Sequence, residues 1–196
     1  MKPEEGVMQS RAQAMAALFE LLTDQLVVIC SGGAAREAYK LADRPTHVYA
    51  IGAAGNAAGI GLGLALAAPK QRVVVFDGDG NLLMGLGTLA TVGAVRPPNF
   101  IHVVFDNEVY GSTGNQPSYS RVTRLDHMAK AAGYVHVERV REREDLVYEF
   151  KDMLGKDGPS LLLIKVNELA EDVPRVPLDP AALTQRFRKE LERRGA

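Results

Sequence analysis

Stretches of aliphatic residues recur along the chain, and the segments between them carry apolar residues three or four positions apart. The aliphatic stretches are residues 26–30, 47–51, 72–77, 100–106, 135–140 and 160–167. Continuous runs of Val, Ile and Leu are typical of strands buried on both faces, whereas the three- or four-residue spacing is typical of helices. The alternation predicts an α/β fold, a three-layer sandwich in which helices cover both faces of a mostly parallel six-stranded sheet.

The predicted helices fill the intervals between these strands. They are residues 8–23, a short helix after Ser31-Gly32-Gly33, and residues 52–69, 83–96, 124–132 and 143–155. Segment 52–69 contains only small and aliphatic residues apart from one asparagine and ends at a proline, so we expect a fully buried helix. Its glycines, which each lower helix propensity by about 1 kcal/mol, then indicate close backbone packing. Segment 83–96 is expected to stop before Pro97 and Pro98.

The C-terminal residues 168–196 are predicted to form an arm. A proline-rich extended stretch is followed by a helix that carries Leu183, Phe187 and Leu191 on one side. Such an apolar side indicates packing against the preceding residues rather than a second domain. We therefore expect residues 1–196 to form a single domain, which is long enough to bury a core without disulfides.

Composition and charge exclude several classes of protein. The 23 basic and 24 acidic side chains leave a net charge of -1, which does not suggest a nucleic-acid or membrane surface. The single cysteine, Cys30, excludes an intrachain disulfide and a multi-cysteine metal site within this chain. Residues 1–22 carry acids and glutamines where a signal peptide needs an apolar core. We expect a cytoplasmic protein.

Three loops follow the second, third and fourth predicted strands. They are Gly52-Ala53-Ala54-Gly55, Gly78-Asp79-Gly80-Asn81 and Asn107-Glu108-Val109-Tyr110-Gly111. Ligands of open parallel sheets bind at the carboxyl ends of the strands, and glycine allows a ligand to approach the backbone closely. Mg²⁺ commonly takes one or two oxygen ligands from protein side chains, and Asp79 and Asn107 supply that number.

The spacing of these residues resembles the diphosphate-binding motif of thiamine diphosphate enzymes. Gly78-Asp79-Gly80 is followed after 26 residues by Asn107, and Tyr110 lies three positions further on. The resemblance implies that Asp79, Asn107 and the backbone carbonyl of Val109 bind Mg²⁺ against the diphosphate. Residues 52–116 resemble the cofactor-binding domain of this family throughout. The sequence PRVPLDPAALTQRF near the C-terminus resembles the tails of sulfopyruvate and phosphonopyruvate decarboxylases.

The resemblance also implies a set of residues that contact the cofactor. They are Gly52, Ala53, Ala54, Gly78, Asp79, Gly80, Asn81, Asn107, Val109, Tyr110, Gly111 and Ser112. Ser112, Thr113 and Gln116 are candidates for binding an anionic substrate tail, or they order their own loop through hydrogen bonds. Ala54 departs from the family, which usually has a bulky residue there to bend the cofactor. Either a neighbouring residue or a partner chain fills the space, or the substrate range or the activity differs from that of the family.

A partner chain is implied as well. Enzymes of this family activate the cofactor with a glutamate on a pyrimidine-binding domain, and 196 residues leave no room for that domain. We therefore expect no catalytic residue in this chain and an alpha subunit that supplies the glutamate, in a hetero-oligomer with two or more copies of each chain. Residues 53–67 and 107–120 are expected at or near the contact. The predicted function is the beta subunit of a decarboxylase that converts a small 2-oxoacid, such as sulfopyruvate or phosphonopyruvate, into an aldehyde and CO2.

Other functions are compatible with the same residues. The loop at 110–116 is also similar to that of 2-oxoacid:ferredoxin oxidoreductase beta subunits, although this chain lacks cysteines for an iron–sulfur cluster. A carboligating thiamine diphosphate enzyme and a non-catalytic cofactor-binding module are the remaining alternatives.

The sequence assigns no definite chemical role to several other residues. Cys30, Thr88, Thr91, His47 and His102 are interpreted as packing residues, and His127 and His136 receive no assignment. Ser31-Gly32-Gly33 follows the first strand and either reaches the diphosphate or substrate, or only turns the chain.

Overall fold

The computed structural model describes residues 9–195, in which helices and strands alternate. Met8 of the first predicted helix lies outside the described residues. The helices are α1 (Arg11–Leu21), α2 (Gly33–Ala42), α3 (Ala57–Ala67), α4 (Asp79–Met84), α5 (Thr88–Val95), α6 (Leu125–Ala132), α7 (Arg143–Leu154) and α8 (Pro180–Arg193). The strands are β1 (Leu26–Ile29), β2 (His47–Tyr49), β3 (Val73–Gly78), β4 (Phe100–Asp106), β5 (Val109–Tyr110), β6 (Gln116–Pro117), β7 (His136–Val140) and β8 (Ser160–Lys165).

Six of the strands form one sheet in the order β2-β1-β3-β4-β8-β7, and every neighbouring pair is parallel. All residues of β1, β4 and β8 are buried, as expected for a sheet with both faces covered. The predicted α/β fold with a six-stranded sheet is confirmed. After β1 the chain continues to β2 at one edge of the sheet, and after β3 it continues to β4 in the opposite direction. A crevice opens between the carboxyl ends of β1 and β3, where these directions diverge.

The predicted helix 52–69 begins later and is more exposed than expected. Helix α3 starts at Ala57 because the preceding loop contains two glycines with positive φ, Gly52 at 76° and Gly55 at 81°. Gly61 faces the sheet so closely that a β-carbon there would lie 2.2 Å from Cγ2 of Val75. The opposite face, which includes Ile60 and Leu66, is exposed in this chain. The expectation of a fully buried helix is therefore wrong for the chain by itself.

The predicted helix 83–96 is divided into two. Helix α4 already begins at Asp79, and the chain turns at residues 85–87 before α5 starts. The turn has a packing cause, because a β-carbon at Gly85 would lie 1.9 Å from the carbonyl oxygen of Gly55. Helix α5 ends at Val95, before the two prolines, as expected. The polar loop after β4 contains the short antiparallel pair β5–β6, which the sequence did not predict.

The C-terminal segment reaches α8 without regular secondary structure between β8 and Asp179. Asp179 caps α8 by accepting hydrogen bonds from the backbone N–H groups of Ala181 and Ala182. Leu183 is buried and Arg186 forms an ion pair with Asp43 at 2.6 Å, so α8 packs beside β2. Within residues 9–195 no helix has the length and hydropathy needed to cross a membrane.

Candidate functional site

Three oxygen-bearing groups from two loops meet beyond the carboxyl ends of β3 and β4. Asp79 is the first residue of α4, and Asn107 follows the last residue of β4. One polar atom of the Asn107 amide lies 3.1 Å from Oδ1 of Asp79 and 3.0 Å from the carbonyl oxygen of Val109. With the amide oxygen in that position, the three oxygens form the hard donor set that Mg²⁺ or Ca²⁺ prefers.

The orientation of the Asn107 amide depends on what lies between these groups. With its NH₂ toward Asp79 and Val109, the amide donates a hydrogen bond to each of their oxygens. With its oxygen toward them, three oxygens repel one another unless a cation neutralises the contact. Among residues 9–195 no group of three or more His, Cys, Asp or Glu side chains could hold a metal ion. Because the donors around Asp79 are all oxygens, this set fits a hard cation and not a histidine- or thiolate-ligated metal.

Two serines fix the orientation of the Asp79 carboxylate. The hydroxyls of Ser118 and Ser120 both contact Oδ2 of Asp79, Ser120 at 3.0 Å, which leaves Oδ1 facing Asn107. Burial raises the pKa of Asp79, the two serine hydrogen bonds lower it in part, and the charge of Asp106 raises it further. Because a cation favours the ionised carboxylate, binding of a metal would oppose this rise in the pKa.

A second buried carboxylate, Asp77, supports the loop that carries Asp79. Its Oδ1 accepts hydrogen bonds from the backbone N–H of Gly78 at 2.9 Å and from the Asn81 side chain. Its Oδ2 lies 3.0 Å from Nε2 of His102, which is fully buried in β4. The other end of the Asn81 amide accepts a 2.7 Å hydrogen bond from the backbone N–H of Gly55. Asn81, which belongs to α4, therefore joins the loop before α3 to the end of β3.

The Tyr110 ring packs against Gly80, and this contact requires a glycine at position 80. A β-carbon at Gly80 would lie 2.5 Å from Cε1 of Tyr110, so only glycine allows the tyrosine ring to lie against this turn. Tyr110 belongs to the β5–β6 pair, and its ring holds that pair against the start of α4. The contact brings Val109, whose carbonyl oxygen faces Asn107, close to Asp79.

A cavity of about 370 Å³ opens beside this oxygen set, at the carboxyl ends of β1 and β3. The first strand contributes Cys30 and the segment Ser31-Gly32-Gly33, and the opposite wall includes Ala170 and Val173 of the C-terminal segment. The cavity lies at the point where the strand order reverses, which is where open α/β sheets bind ligands. Burial raises the pKa of the Cys30 thiol, so this cysteine is not a ready nucleophile.

Comparison with known proteins identifies the family. The model of the thiamine pyrophosphate enzyme C-terminal TPP-binding domain matches residues 29–164. The chain belongs to the thiamine pyrophosphate enzymes. The chain is 44% identical to phosphonopyruvate decarboxylase of Streptomyces viridochromogenes over 172 residues, which cover 87% of this chain and 43% of that protein.

Two further proteins are similar to the chain and differ in sequence identity and coverage. Sulfopyruvate decarboxylase subunit beta of Methanothermobacter thermautotrophicus is 40% identical over 190 residues, covering 97% of this chain and 98% of that subunit. The crystal structure of benzoylformate decarboxylase from Polynucleobacter necessarius matches with a TM-score of 0.68 at 20% identity and covers 82% of this chain and 34% of that one. The structural match shows the fold of a thiamine pyrophosphate enzyme domain.

Most of the residues predicted to contact thiamine pyrophosphate lie on the cavity wall. They are Ala54, Gly78, Asp79, Gly80, Asn81, Asn107, Val109, Tyr110, Gly111 and Ser112. Gly52 and Ala53 do not line this cavity, and Ala53 instead borders an apolar groove next to α8. Gly52 is exposed and lies outside the cavity lining, whereas Ala54 of the same loop is part of it.

The three candidates for substrate binding do not all line the cavity. Ser112 lines the cavity of this thiamine pyrophosphate domain, whereas Thr113 and Gln116 do not. The Thr113 hydroxyl donates a 2.7 Å hydrogen bond to Oε1 of Gln116, so these two side chains order the β5–β6 turn. The structure favours the alternative in which they act on their own loop.

Arginines that sequence reasoning passed over also reach the cavity. Arg11 forms a bidentate ion pair with Glu37, with N–O distances of 2.7 and 2.9 Å. Burial lowers the pKa of Arg11, but the hydrogen bond and charge of Glu37 raise it by more, so the side chain stays charged. Arg36 lines the same cavity and makes no hydrogen bond or ion pair with any residue in the described range. Its charge is available to an anion.

Four residues that support the oxygen set were missed by the sequence analysis. They are Asp77, Ser118, Ser120 and Lys165. Asp77 could have been found, because an acid at the end of one aliphatic strand and a histidine within its neighbour indicate a buried polar pair. Ser118 and Ser120 gave no local signal, since they lie 39 and 41 residues from Asp79 in sequence.

Proposed function

We propose that this chain is the beta subunit of a split, thiamine diphosphate- and Mg²⁺-dependent decarboxylase that acts on a small 2-oxoacid with an anionic tail. The convergence of Asp79, Asn107 and the Val109 carbonyl at the edge of the sheet carries this proposal. The match to almost the full length of a sulfopyruvate decarboxylase beta subunit supports it. The substrate would be sulfopyruvate, phosphonopyruvate or a close analogue, and the products an aldehyde and CO2.

The residues of this chain would bind and orient the cofactor. Asp79, Asn107 and Val109 would hold Mg²⁺, and the ion would neutralise the diphosphate. Gly78 leaves the backbone of this turn open to the phosphate groups, whereas the space beside Gly80 is taken by the Tyr110 ring. Thiamine diphosphate, when bound, supplies a thiazolium ring that accepts the electron pair released as CO2 leaves. The chain itself would anchor the cofactor, and its partner would supply the activating glutamate.

Exposed apolar side chains support a partner along α3 and at the end of α4. Ile51, Ile60, Leu66 and Met84 lie on α3, on α4 or in the loop before α3, and between 38% and 60% of each side chain is exposed. Large apolar side chains that are exposed together mark contacts with another surface. We propose that an alpha subunit with the pyrimidine-binding domain covers this region, in an assembly with two or more copies of each chain.

Met84 is the residue that we propose to compensate for Ala54. Both lie on the cavity wall, and Met84 is 60% exposed. A β-carbon at Gly55 would lie 3.1 Å from Cβ of Met84, so the methionine stands directly beside the loop that contains Ala54. Methionine is flexible enough to fill an irregular gap. It would take the space against the cofactor that alanine leaves open.

Arg36 is the residue that we propose to recognise the anionic tail of the substrate. It lies in the first turn of α2 and on the cavity wall, with no partner among residues 9–195. A guanidinium matches the planar oxygen pairs of sulfonate, phosphonate and carboxylate groups. Ser112 lies on the same wall and would donate one additional hydrogen bond.

The test is reconstitution. The chain would be produced alone and together with a candidate partner that carries the pyrimidine-domain glutamate. CO2 release from sulfopyruvate and from phosphonopyruvate would then be measured with and without thiamine diphosphate and Mg²⁺. We expect activity only from the complex and only with both additions. Strong decarboxylation by the lone chain at the mass of a monomer would contradict the split site.

Product analysis separates decarboxylation from the neighbouring reactions. An aldehyde as the product supports the proposed reaction, whereas condensation products formed from pyruvate would indicate carboligation. A brown complex with the absorption of an iron–sulfur cluster would indicate an oxidoreductase instead.

A further inference from the structure

Lys165, the last residue of β8, is buried next to residues 107–109. These residues carry two of the three proposed metal ligands and are called the metal-binding loop below. Its side chain is 3% exposed, and in the sheet it lies opposite Asp106 of β4. The ammonium group donates a 2.8 Å hydrogen bond to Oδ2 of Asp106 and another to Oε1 of Glu108. Lysine is almost never fully buried unless it is paired, so both contacts matter to its placement.

The two acids that Lys165 holds lie immediately before and after Asn107. One cation therefore fixes the residues on both sides of a proposed metal ligand. Glu108 has φ at 61°, a conformation that residues other than glycine rarely adopt. Such a backbone persists only where its surroundings hold it, and the ion pair with Lys165 is one such restraint.

A serine connects this group to the other proposed ligand. The hydroxyl of Ser120 lies 2.8 Å from Oδ1 of Asp106 and 3.0 Å from Oδ2 of Asp79. Because it carries a single proton, it donates to one of these carboxylates at a time. Contacts thus run from Lys165 through Asp106 and Ser120 to Asp79.

We propose that Lys165 is a positioning residue for the metal site, which places Asn107 and Asp79 by holding Asp106 and Glu108. The inference rests on the proposed function, since it requires that these residues bind a cation. Lys165 itself does not line the cavity, so it would act on the metal ligands only through Asp106 and Glu108. Groups that orient metal ligands commonly change metal affinity by about 10- to 100-fold when they are removed.

A purely structural role for Lys165 predicts a different result for metal affinity. A buried ion pair can often be replaced by apolar residues without loss of stability, so the core does not need a lysine at this position. If the lysine only stabilised the fold, its loss would lower the unfolding temperature and leave metal affinity unchanged in the folded protein. Metal affinity is therefore the quantity that separates the two roles.

The experiment measures Mn²⁺ binding by electron paramagnetic resonance on the full chain in complex with its partner, with thiamine diphosphate present. For Lys165→Met we expect about 10- to 100-fold weaker Mn²⁺ binding than for the unmodified complex. Activity should return to within a few-fold of the original at saturating Mg²⁺. Unchanged Mn²⁺ affinity in the folded variant would overturn the proposal.

Two further variants keep the result decisive. Arg186→Met removes an ion-paired cation near the amino end of β2, far from the metal-binding loop, and should leave Mn²⁺ affinity unchanged. If Lys165→Met does not fold because Asp106 is left as an unpaired buried charge, the double variant Lys165→Met with Asp106→Asn removes that charge. We expect the double variant to fold and still to bind Mn²⁺ weakly. Binding as tight as in the unmodified complex would refute the positioning role.

The same measurements separate this inference from the function on which it rests. If the unmodified complex binds no Mn²⁺ with thiamine diphosphate, the proposed metal site fails and the role of Lys165 fails with it. If the unmodified complex binds Mn²⁺ and both Lys165 variants bind it equally well, only the positioning role fails.

Discussion

The backbone N–H of Gly55 donates a 2.7 Å hydrogen bond to the side-chain oxygen of Asn81, 26 residues later in the chain. The other end of that amide donates to Asp77, which also accepts from the backbone of Gly78 and contacts His102. The Asn81 side chain thus sets the spacing between the loop before α3 and the turn from β3 into α4. This spacing does not depend on the cofactor, because protein groups alone maintain it.

We expect Asn81→Ala to separate these loops. The substitution leaves the N–H of Gly55 without its partner and should lower the free energy of unfolding by about 1–3 kcal/mol. For a domain of this size each kcal/mol corresponds to a decrease of about 2–4 °C in Tm. Chemical denaturation of the chain measures the loss. Asn56→Ala is the matched control, because that exposed amide bonds only to the carbonyl of Ala54 in its own loop. Equal effects of the two substitutions would show that the bond to Gly55 is unimportant.

His47 should make the stability of the chain depend on pH. Burial, together with the charge of Arg44, lowers the pKa of His47 to about 4, against about 6.5 in an unfolded chain. Between these values the unfolded state takes up a proton that the folded state does not. Stability therefore falls as the pH falls through this range, by about 2 kcal/mol between pH 7 and pH 5. Denaturation at a series of pH values measures the slope.

Two substitutions isolate the contribution of His47 to this pH dependence. His47→Phe keeps a ring that can stack on Phe19, whose ring centroid lies 5.4 Å from that of His47, and removes the titrating group. The difference in stability between pH 7 and pH 5 should decrease by about 2 kcal/mol. Val122 is exposed and carries no titratable group, so Val122→Ala should leave the difference unchanged. A slope that is the same in the His47 variant and the unmodified chain would refute the assignment.

Asp79→Asn should stabilise the chain without its ligands and abolish its response to them. Burial raises the pKa of Asp79, so at neutral pH the folded chain carries a carboxylate that is costly to ionise. Since the unfolded carboxyl ionises at lower pH, this group lowers stability as the pH rises through the interval between the two pKa values. Asparagine removes the charge and still accepts from Ser118 and Ser120.

Thermal unfolding with and without Mg²⁺ and thiamine diphosphate tests both halves of this expectation. Ligands present at 100 times their Kd would stabilise the unmodified complex by about 2.7 kcal/mol. The Asn variant should begin from a higher unfolding temperature and gain little. An equal gain in the variant would mean that Asp79 does not bind the metal.

Arg36→Leu should weaken the binding of substrates that carry an anionic tail. Loss of a charge-assisted hydrogen bond costs about 1.5–3 kcal/mol, or about a 10- to 150-fold increase in KM for sulfopyruvate or phosphonopyruvate. Pyruvate has no such tail, and its KM should stay nearly constant. Steady-state kinetics of the reconstituted complex provides both values. A rise confined to the KM for thiamine diphosphate would show that Arg36 binds the cofactor and not the substrate.

The elements that the sequence predicted correctly are those whose causes are local. The aliphatic runs that became β1, β3, β4 and β8 are short, continuous and separated by amphipathic segments, so their type and parallel arrangement follow from pattern alone. The loop positions at the carboxyl edge follow from the same pattern. The oxygen set around Asp79 was found because its members occupy those loops.

The features that were missed depend on contacts between distant residues. The break between α4 and α5 arises where Gly85 meets Gly55, and no pattern near residue 85 reports that contact. The exposed face of α3 is apolar, so its composition cannot distinguish a surface that meets a partner from a buried core. Lys165 lies in a strand of aliphatic residues, and only the register with β4 brings it to Asp106.

The Asn107 amide gives this site a simple means of loading. With its NH₂ end toward Asp79 and Val109, the amide donates to both oxygens, so no third acceptor faces them. If a cation binds there as proposed, a rotation about one soft terminal torsion would present the oxygen instead. Because this torsion turns without a change in the backbone, the step would demand little reorganisation energy of the protein.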